Sequence, residues 1–250
     1  MKSEAIVELG KPLQTIESET PIPKGKEVLL KITHSGVCHS DVHIHDGYFD
    51  LGGGNKLPVG AMLNLPHTMG HEIEGIVASV GPDVTDIEIG SNVVAYPWIG
   101  CGKCATCKAG DEHYCNAPRQ LGIQLPGGFA DYCIVPDSKY VLDYEGIRPG
   151  LAATYMCSGL TAFGALKKFV NISDDDHILI MGLGGVGMMG LQFARALFNC
   201  KILAADIDPN KLQAAKGAGA DEVYDTSDEL SIKKLLEDTG GGVKATADFV

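Results

Sequence analysis

Residues 177–187 read HILIMGLGGVG, and this stretch determines the fold predicted for the second half of the chain. Its first five residues form a continuous apolar run, which is typical of a buried parallel strand. Its last six match the pattern G-x-G-x-x-G, and a helical stretch over 188–198 follows. In a dinucleotide site, Gly182 would permit the tight turn, Gly184 would let the backbone approach a pyrophosphate, and Gly187 would let the helix pack on the strand. The N–H groups and the positive dipole end of the helix N-terminus would then face the phosphates.

Strands and helices alternate on the C-terminal side of this turn. Apolar strand-like and helix-like stretches follow one another at 201–206, 210–217, 222–224 and 229–237. This alternation predicts a doubly wound parallel sheet. Asp206 ends the first of these strands, about 20 residues after the turn, where a carboxylate can accept hydrogen bonds from both ribose hydroxyls and repel a 2′-phosphate. The pattern therefore favours NAD over NADP, with a structural glycine turn and a solvated strand end as the alternatives.

The first 150 residues have a different pattern, rich in short β-strands. Strand candidates at 28–34, 73–80 and 92–96 are separated by turns that contain Gly and Pro. Many short strands with this punctuation predict a barrel-like β domain. Helix-spaced apolar positions then predict a helix over 151–169. The predicted domains are 1–152 and 153–250.

Composition excludes several classes of protein. The chain has 250 residues, 45% of them hydrophobic, which excludes wholesale disorder. Its 20 Lys and Arg against 32 Asp and Glu give a net charge of −12, which argues against nucleic acid as a partner. No stretch has the length and apolarity of an export signal or a membrane span, so we expect a cytoplasmic protein without membrane contact. In that reducing compartment the eight cysteines suggest metal ligands or catalytic thiols before disulfides.

Four of the cysteines lie close together in one segment. The spacing is Cys101-x2-Cys104-x2-Cys107-x7-Cys115. Four thiolates can surround tetrahedral zinc without leaving a coordination position for substrate, so the pattern predicts a structural zinc in a lobe over about 100–116. An iron–sulfur cluster also takes four cysteines, but its usual runs end with a three-residue spacer and proline. Two disulfides would require an oxidising compartment.

Three further metal-ligand residue types are scattered along the chain. Cys38 begins the motif CHSDVH at 38–43, His71 lies in Gly-His-Glu at 70–72, and Cys157 stands alone. None of them compels a metal site by itself, because a lone cysteine is most often a small buried hydrophobe. Together with the four-cysteine lobe and the glycine turn, in this order, they carry a resemblance. The chain resembles the zinc-dependent medium-chain alcohol dehydrogenases over essentially its whole length.

The resemblance implies a fold and a catalytic zinc. The fold would be α/β plus β, with a GroES-like β-rich catalytic domain followed by a doubly wound Rossmann domain. Cys38, His71 and Cys157 would bind the catalytic zinc and leave its fourth position open. Glu72 would be the occasional fourth ligand seen in some members. Asp41 would hold the imidazole of His71 in the tautomer that the metal requires.

The resemblance also implies how substrate and cofactor are handled. Ser40 would contact the substrate oxygen and begin a proton relay through the cofactor ribose to His43. The alternatives are that Ser40 merely caps a turn and that His43 is an ordinary surface imidazole. Trp98 would line the substrate pocket. Four other residues would also contact the cofactor. These are Gly185 in the glycine turn, Val186 and Thr161 at the nicotinamide, and Lys211 beside the adenosine ribose.

Three features bear on how far the family pattern extends. Residue 39 is histidine, where members often have an arginine that meets the pyrophosphate. The segment 47–67 is long for the link between the two metal motifs, and a mobile loop there would cover the substrate entrance. Members also continue beyond the point that corresponds to residue 250, so we expect a longer natural protein.

These observations predict an enzyme with two zinc ions per chain. The predicted reaction is the reversible, NAD-dependent oxidation of a primary or secondary alcohol to an aldehyde or ketone. A polyol- or formaldehyde-type dehydrogenase of the same fold is one alternative. A non-catalytic nucleotide-binding or redox-sensing zinc protein is the other. The family also implies a homodimer or homotetramer.

Overall fold

A computed structural model describes residues 1–250, and these fall into two compact units, Met1–Cys157 and Ser158–Val250. The sequence-based domain boundary, between residues 152 and 153, lies five residues before the boundary of these units and stays a prediction. No helix has both the length and the apolar character needed to cross a membrane.

The first unit is built mainly of β-strands. Its strands are β1 (Lys2–Ile6), β2 (Gln14–Glu17), β3 (Val28–Gly36), β4 (Tyr48–Asp50), β5 (Lys56–Pro58), β6 (His67–Thr68), β7 (Glu72–Val80), β8 (Asn92–Ala95), β9 (Tyr132–Val135) and β10 (Val141–Asp143). Its α-helices are α1 (His39–Asp46) and α2 (Ala105–Lys108), and its 3-10 helices are Gly60–Met62, Glu112–Tyr114, Ser138–Tyr140 and Ala152–Met156. Three strands predicted at 28–34, 73–80 and 92–96 are therefore present as β3, β7 and β8.

A five-stranded antiparallel sheet with the order β10-β8-β7-β3-β9 organises this unit. Alternate residues of its strands, among them Val28, Leu30, Ile73 and Val77, face one apolar core. The register pairs Gly36 at the end of β3 with Glu72 at the start of β7. The chain leaving β3 and the chain entering β7 therefore lie side by side.

The second unit is a parallel sheet with helices. Its strands are β11 (His177–Met181), β12 (Lys201–Asp206), β13 (Glu222–Asp225) and β14 (Ala245–Asp248), and its helices are α3 (Ser158–Leu166), α4 (Gly185–Leu197), α5 (Pro209–Gly217) and α6 (Glu229–Asp238). The strand order is β13-β12-β11-β14, with all three pairs parallel. Buried Ile178, Ile180, Leu191 and Ile202 lie in its main apolar core.

Two predicted helices have different bounds in the structure. The single helix expected over 151–169 is interrupted at Cys157, whose backbone angles of φ −129° and ψ −76° separate the 3-10 helix Ala152–Met156 from α3. Apolar spacing did not reveal this break, because both helix types place apolar residues three or four positions apart. The helix expected from 188 starts earlier, at Gly185, so the last glycines of the turn already belong to α4.

Candidate functional site

Three distant residues meet at one end of the large sheet of the first unit. Cys38 lies directly after β3 and is the N-cap residue of α1, His71 directly precedes β7, and Cys157 follows the 3-10 helix Ala152–Met156. Their ligand atoms all lie within 4.8 Å of one another. The Sγ atoms of Cys38 and Cys157 are 3.9 Å apart. Two sulfurs on one tetrahedral zinc, each at about 2.3 Å, would be about 3.8 Å apart, so this spacing fits the ion.

The imidazole of His71 is held in one orientation by Asp41. Nδ1 of His71 donates a hydrogen bond to Oδ1 of Asp41 at 3.2 Å, and the backbone N–H of Gly70 donates to the same oxygen at 3.3 Å. The backbone N–H of Cys38 donates to the other oxygen at 2.9 Å. Nε2 of His71 is buried and has no partner within the protein. A buried polar nitrogen without a partner is costly, and a metal ion bound in place of a proton would satisfy it.

The electrostatics of this trio favour negative charge on the sulfur of Cys38. The hydrogen bond from Cys157 lowers the pKa of Cys38 to about 3, despite burial, and His71 and Ser40 lower it further. The same hydrogen bond, together with burial, raises the pKa of Cys157. Burial lowers the pKa of His71, but the hydrogen bond to Asp41 and the nearby Cys38 sulfur outweigh it and raise the pKa to about 10. The sulfur of Cys38 and the carboxylate of Asp41 therefore stabilise positive charge at this site.

Glu72 and Trp98 lie beside the trio. Glu72 is 3% exposed and begins β7, and its carboxylate packs so closely over Gly36 that a Cβ at residue 36 would be 2.0 Å from Oε2. The Trp98 ring lies 5.8 Å from the ring of His71, and its Nε1 donates to the carbonyl of Met156 at 2.8 Å. The indole is thus fixed next to the residue that precedes Cys157.

Ser40 and His43 both lie on α1, directly after Cys38. The backbone and hydroxyl of Ser40 hydrogen-bond the Cys38 sulfur. The ring of His43 stacks on His39, with the ring centres 4.8 Å apart, and lies 4.9 Å from the ring of Phe49. Residue 39, where the family often has arginine, therefore packs its imidazole on His43. The relay from Ser40 to His43 stays a prediction.

The four-cysteine lobe forms a second thiol cluster. Its four sulfurs lie within 4.8 Å of one another, and three of the distances between them are 3.9 Å (Cys101–Cys107), 3.4 Å (Cys104–Cys107) and 3.8 Å (Cys104–Cys115). Backbone N–H groups donate to these sulfurs, and those of Lys103 and Cys104 lower the pKa of Cys101 to about 6. Four sulfurs at this spacing, with N–H donors that favour thiolates, fit a tetrahedral zinc.

Sequence reasoning missed the carboxylate that attaches this lobe to the sheet. Glu112 lies inside the lobe and accepts hydrogen bonds from the backbone N–H of Gly100 at 3.2 Å, from Lys139 and from the hydroxyl of Tyr140. Burial alone would raise the pKa of Glu112, but these hydrogen bonds outweigh it and keep the pKa below its ordinary value. No local pattern indicates this role, because Tyr140 is 28 residues away along the chain.

The glycine turn of the second unit has the backbone geometry of a phosphate cradle. Gly182 has φ +79°, a region that side-chain-bearing residues rarely adopt, and a Cβ at Gly187 would be 1.7 Å from the carbonyl oxygen of Gly182. Gly184 and Gly185, by contrast, have open space where a side chain would stand. The turn is therefore closed toward the strand and open at the start of α4, where free N–H groups can bind an anion.

Asp206 contacts this turn directly, which the sequence did not show. Its Oδ2 accepts from the N–H of Leu183 at 2.6 Å, and its Oδ1 accepts from the N–H groups of Ile207 at 2.8 Å and Asp208 at 3.0 Å. Burial would raise the pKa of Asp206, but these N–H groups and Lys211 outweigh it and lower the pKa. The carboxylate is thus ionised at neutral pH and orders the loops on both sides of it.

The other predicted cofactor residues are distributed around the second unit. Lys211 on α5 places Nζ 3.6 Å from Oδ2 of Asp206. Val186 is the second residue of α4, next to the open glycines. Thr161 is exposed on α3, which packs against α4. Their contacts with a cofactor stay predictions.

Comparison with known proteins identifies the family. Residues 24–145 match the family model of the alcohol dehydrogenase GroES-like domain, and residues 185–250 match the model of zinc-binding dehydrogenases. An NAD-dependent alcohol dehydrogenase of Sulfurisphaera tokodaii is 38% identical over 251 residues, which covers 100% of this chain and 71% of that protein. The chain belongs to the zinc-dependent alcohol dehydrogenase family. The predicted fold class, a GroES-like β-rich domain followed by a Rossmann domain, is therefore confirmed.

Solved structures of the alcohol dehydrogenase family agree with this assignment. The alcohol dehydrogenase of Aeropyrum pernix matches with a TM-score of 0.86 and 29% identity, covering 100% of this chain and 72% of that one. The D-arabinose dehydrogenase of Sulfolobus solfataricus matches with a TM-score of 0.84 and 27% identity, covering 100% and 74%. The chain is an oxidoreductase of this family.

Proposed function

We propose that this chain oxidises a primary or secondary alcohol to the corresponding carbonyl compound, reversibly, with NAD as the hydride acceptor. The observation that carries the proposal is the convergence of Cys38, His71 and Cys157, whose ligand atoms lie within 4.8 Å of one another. Family membership supports the same reaction, because the relative from Sulfurisphaera tokodaii is an NAD-dependent alcohol dehydrogenase.

The residues of the trio are the ligands we propose for a catalytic zinc. Two sulfurs at tetrahedral spacing and the buried, unpartnered Nε2 of His71 fit the ion. When bound, zinc supplies Lewis acidity that lowers the pKa of an alcohol oxygen. Asp41 holds a proton on Nδ1 of His71, so that Nε2 is the nitrogen that would bind the ion in place of its own proton. We propose Glu72 as an occasional fourth ligand of the ion and Trp98 as a side chain that lines the substrate pocket.

Loss of the alcohol proton requires a path to solvent. Ser40 hydrogen-bonds the Cys38 sulfur, and its hydroxyl is the group we propose to contact the substrate oxygen. His43, one helical turn further on, is the proposed end of the path, because an imidazole exchanges protons with water near neutral pH. The stack with His39 and the contact with Phe49 hold that ring in place.

The second unit would bind NAD, which accepts the hydride when bound. The open Gly184 and Gly185 at the start of α4 would let the pyrophosphate approach the free N–H groups. The ionised Asp206 would accept from the ribose hydroxyls and repel a 2′-phosphate, with Lys211 beside it. Val186 and Thr161 would touch the nicotinamide.

Cys101, Cys104, Cys107 and Cys115 are the proposed ligands of a structural zinc. Four protein ligands leave no place for substrate, so the ion would stabilise the lobe and take no part in the reaction.

Zinc content and turnover test the proposal together. Elemental analysis of the purified protein should give two zinc ions per chain, and a panel of alcohols with NAD should yield reduced nicotinamide, followed by its absorbance. One zinc or none, or no turnover with any alcohol by a protein that holds both ions, would contradict it.

A polyol is the second candidate substrate class. The structural similarity to a D-arabinose dehydrogenase favours it. The same panel separates the two, because a polyol enzyme should turn over sugars and polyols with a higher kcat/KM than simple alcohols.

Assembly and compartment are further proposals. We propose a homodimer or homotetramer, as the family implies, which light scattering of the purified protein would test. We also propose the cytoplasm, because both clusters need thiolates and an oxidising compartment would convert neighbouring thiols into disulfides. A fluorescent fusion followed by microscopy would test that location.

A further inference from the structure

Glu74 is a buried carboxylate that the proposed mechanism does not use. It is the third residue of β7, with 1% of its surface exposed, and its neighbour Ile73 points into the apolar core on the other face of the strand. Burying an ionised carboxylate is costly unless hydrogen bonds compensate for the lost water. The partners of Glu74 therefore show why the position tolerates an acid.

The carboxylate of Glu74 accepts hydrogen bonds from three residues. Oε2 accepts from the backbone N–H of Gly150 at 2.9 Å. Oε1 accepts from the hydroxyl of Tyr144 at 3.1 Å and from Nδ1 of His34 at 3.0 Å. Gly150 has φ +82°, and a Cβ there would be 3.3 Å from the His34 ring, so a glycine permits this close approach.

These partners lie on the segments that lead to the zinc ligands. His34 is in β3, which continues into Cys38. Gly150 is followed by the 3-10 helix Ala152–Met156, which packs against β7 and ends at Cys157. Glu74 itself is in β7, directly preceded by His71. One carboxylate thus joins the three chain segments that carry the three proposed ligands.

We propose that Glu74 is a positioning residue for the catalytic zinc site. Its carboxylate fixes two segments against β7, which follows His71: the segment 144–150, which precedes Cys157, and β3, which precedes Cys38. This inference rests on the proposed function, because it assumes that the trio binds zinc. Without the carboxylate, the half-buried N–H of Gly150 would lose its acceptor within the protein, and the segment 144–150 would no longer be held against β7. Cys157, at the end of that segment, would then meet the ion in a less favourable geometry.

The test compares the two zinc sites within one protein. A chromogenic chelator is added to the zinc-loaded protein, and the release of each ion is followed over time. The Cys38→Ala variant identifies the release phase of the catalytic site, because only the lobe ion remains in it. Glu74→Leu keeps the bulk of the side chain and removes both acceptors. Glu145→Leu is the matched control, because residue 145 is an exposed glutamate next to Tyr144.

We expect Glu74→Leu to release the catalytic zinc faster by about tenfold, the lower end of the loss seen when groups that orient metal ligands are removed. The lobe zinc should be released at the wild-type rate. Glu74→Gln keeps an acceptor for Gly150 and should restore most of the retention. Tyr144→Phe removes one donor without leaving a buried N–H unpaired, so it should fold normally and release the catalytic zinc about twofold faster.

Two results would overturn the inference. One is wild-type release from both sites in Glu74→Leu and Tyr144→Phe. The other is evidence that Glu74 serves only general stability. That evidence would be equally faster release from both sites, or failure of Glu74→Leu to fold when Tyr144→Phe releases zinc at the wild-type rate. A wild-type protein that releases only the lobe zinc would instead contradict the proposed function, so the two failures are distinguishable.

Discussion

The two thiol clusters of the first unit are assembled in different ways. The sulfurs of the lobe come from residues at most 14 positions apart, whereas Cys38 and Cys157 are 119 positions apart. The lobe is therefore closed by local turns, and the trio is closed only when the five-stranded sheet has formed. Ligands supplied by a local segment can stabilise that segment, whereas ligands supplied by a whole domain depend on the stability of the domain.

The two clusters also differ in what surrounds the ligand atoms. In the trio, His71 is fully buried and held by Asp41, and the three proposed ligands would leave one coordination position for a substrate. In the lobe, Cys101 and Cys104 are partly exposed and four sulfurs complete the set. We therefore expect damage to the trio to reduce activity, and damage to the lobe to reduce stability.

The largest expected effect is the loss of activity in Cys38→Ala. Removing one sulfur should cost at least about 4 kcal/mol of transition-state stabilisation, or about 1000-fold in kcat/KM, because the Lewis acid is lost or misplaced. The melting temperature should change little, and elemental analysis should still find the lobe zinc. Cys200→Ala, which removes a buried thiol outside both clusters, should keep its activity. A Cys38→Ala variant with substantial activity would break the distinction between the two clusters.

Cys104→Ala should act mainly on stability. The Sγ of Cys104 accepts from the N–H of Cys107 and is a proposed ligand, so its removal should release the lobe zinc. A loss of about 3 kcal/mol would lower the melting temperature by about 10 °C. Calorimetry measures the shift, and kcat at low temperature should stay within a few-fold of wild type. Full activity loss without any change in melting temperature would contradict the structural role.

Asp41→Asn should weaken zinc binding at the trio alone. If the asparagine oxygen accepts from the N–H of Cys38, its NH₂ group faces His71 and Gly70. A donor then stands where Asp41 placed an acceptor. His71 would then carry its proton on Nε2, the nitrogen that the metal needs. We expect about a tenfold loss of affinity, measured by competition with a chelator of known affinity. Asp46→Asn, on the same helix but largely exposed, is the control and should bind zinc normally.

The sequence predicted the two clusters for different reasons. The spacing of Cys101, Cys104, Cys107 and Cys115 alone indicates a metal site, because the ligands are neighbours in the chain. The trio has no such local pattern, and only its resemblance to a family connected its members. The parallel sheet was predictable because a short apolar run such as that of His177–Met181, followed by a glycine turn and a helix, is typical of a buried parallel strand.

The features that the sequence did not predict all depend on distant contacts. Helix-spaced apolar residues allow either one continuous helix or two shorter ones, so they gave no sign of the break at Cys157. Glu74 and Gly150 are 76 positions apart, and the hydrogen bond from the N–H of Leu183 to Asp206 joins the glycine turn to the end of β12. A carboxylate inside an apolar strand, as in β7, is a signal of some buried partner, but it does not say which.

The smallest expected effect concerns Glu112, which attaches the lobe to the rest of the first unit. Its hydrogen bonds to Gly100, Lys139 and Tyr140 keep its pKa below the ordinary value. A group whose pKa is lowered on folding contributes stability that is present above its ordinary pKa and lost as the pH falls through its folded-state pKa. Because Lys139 is half exposed, we expect only about 1 kcal/mol at neutral pH.

Denaturant unfolding of wild type and Glu112→Gln at a series of pH values measures this contribution. The variant should be less stable at neutral pH, and the difference should shrink as the solution becomes acidic, since the wild-type carboxylate is then protonated as well. Glu145→Gln, exposed and outside the lobe, should follow the wild-type curve. If the difference instead persisted unchanged into acid, the charge of Glu112 would have no part in holding the lobe. Attachment of the lobe to the rest of the first unit would then rest on its sulfur ligands and on packing.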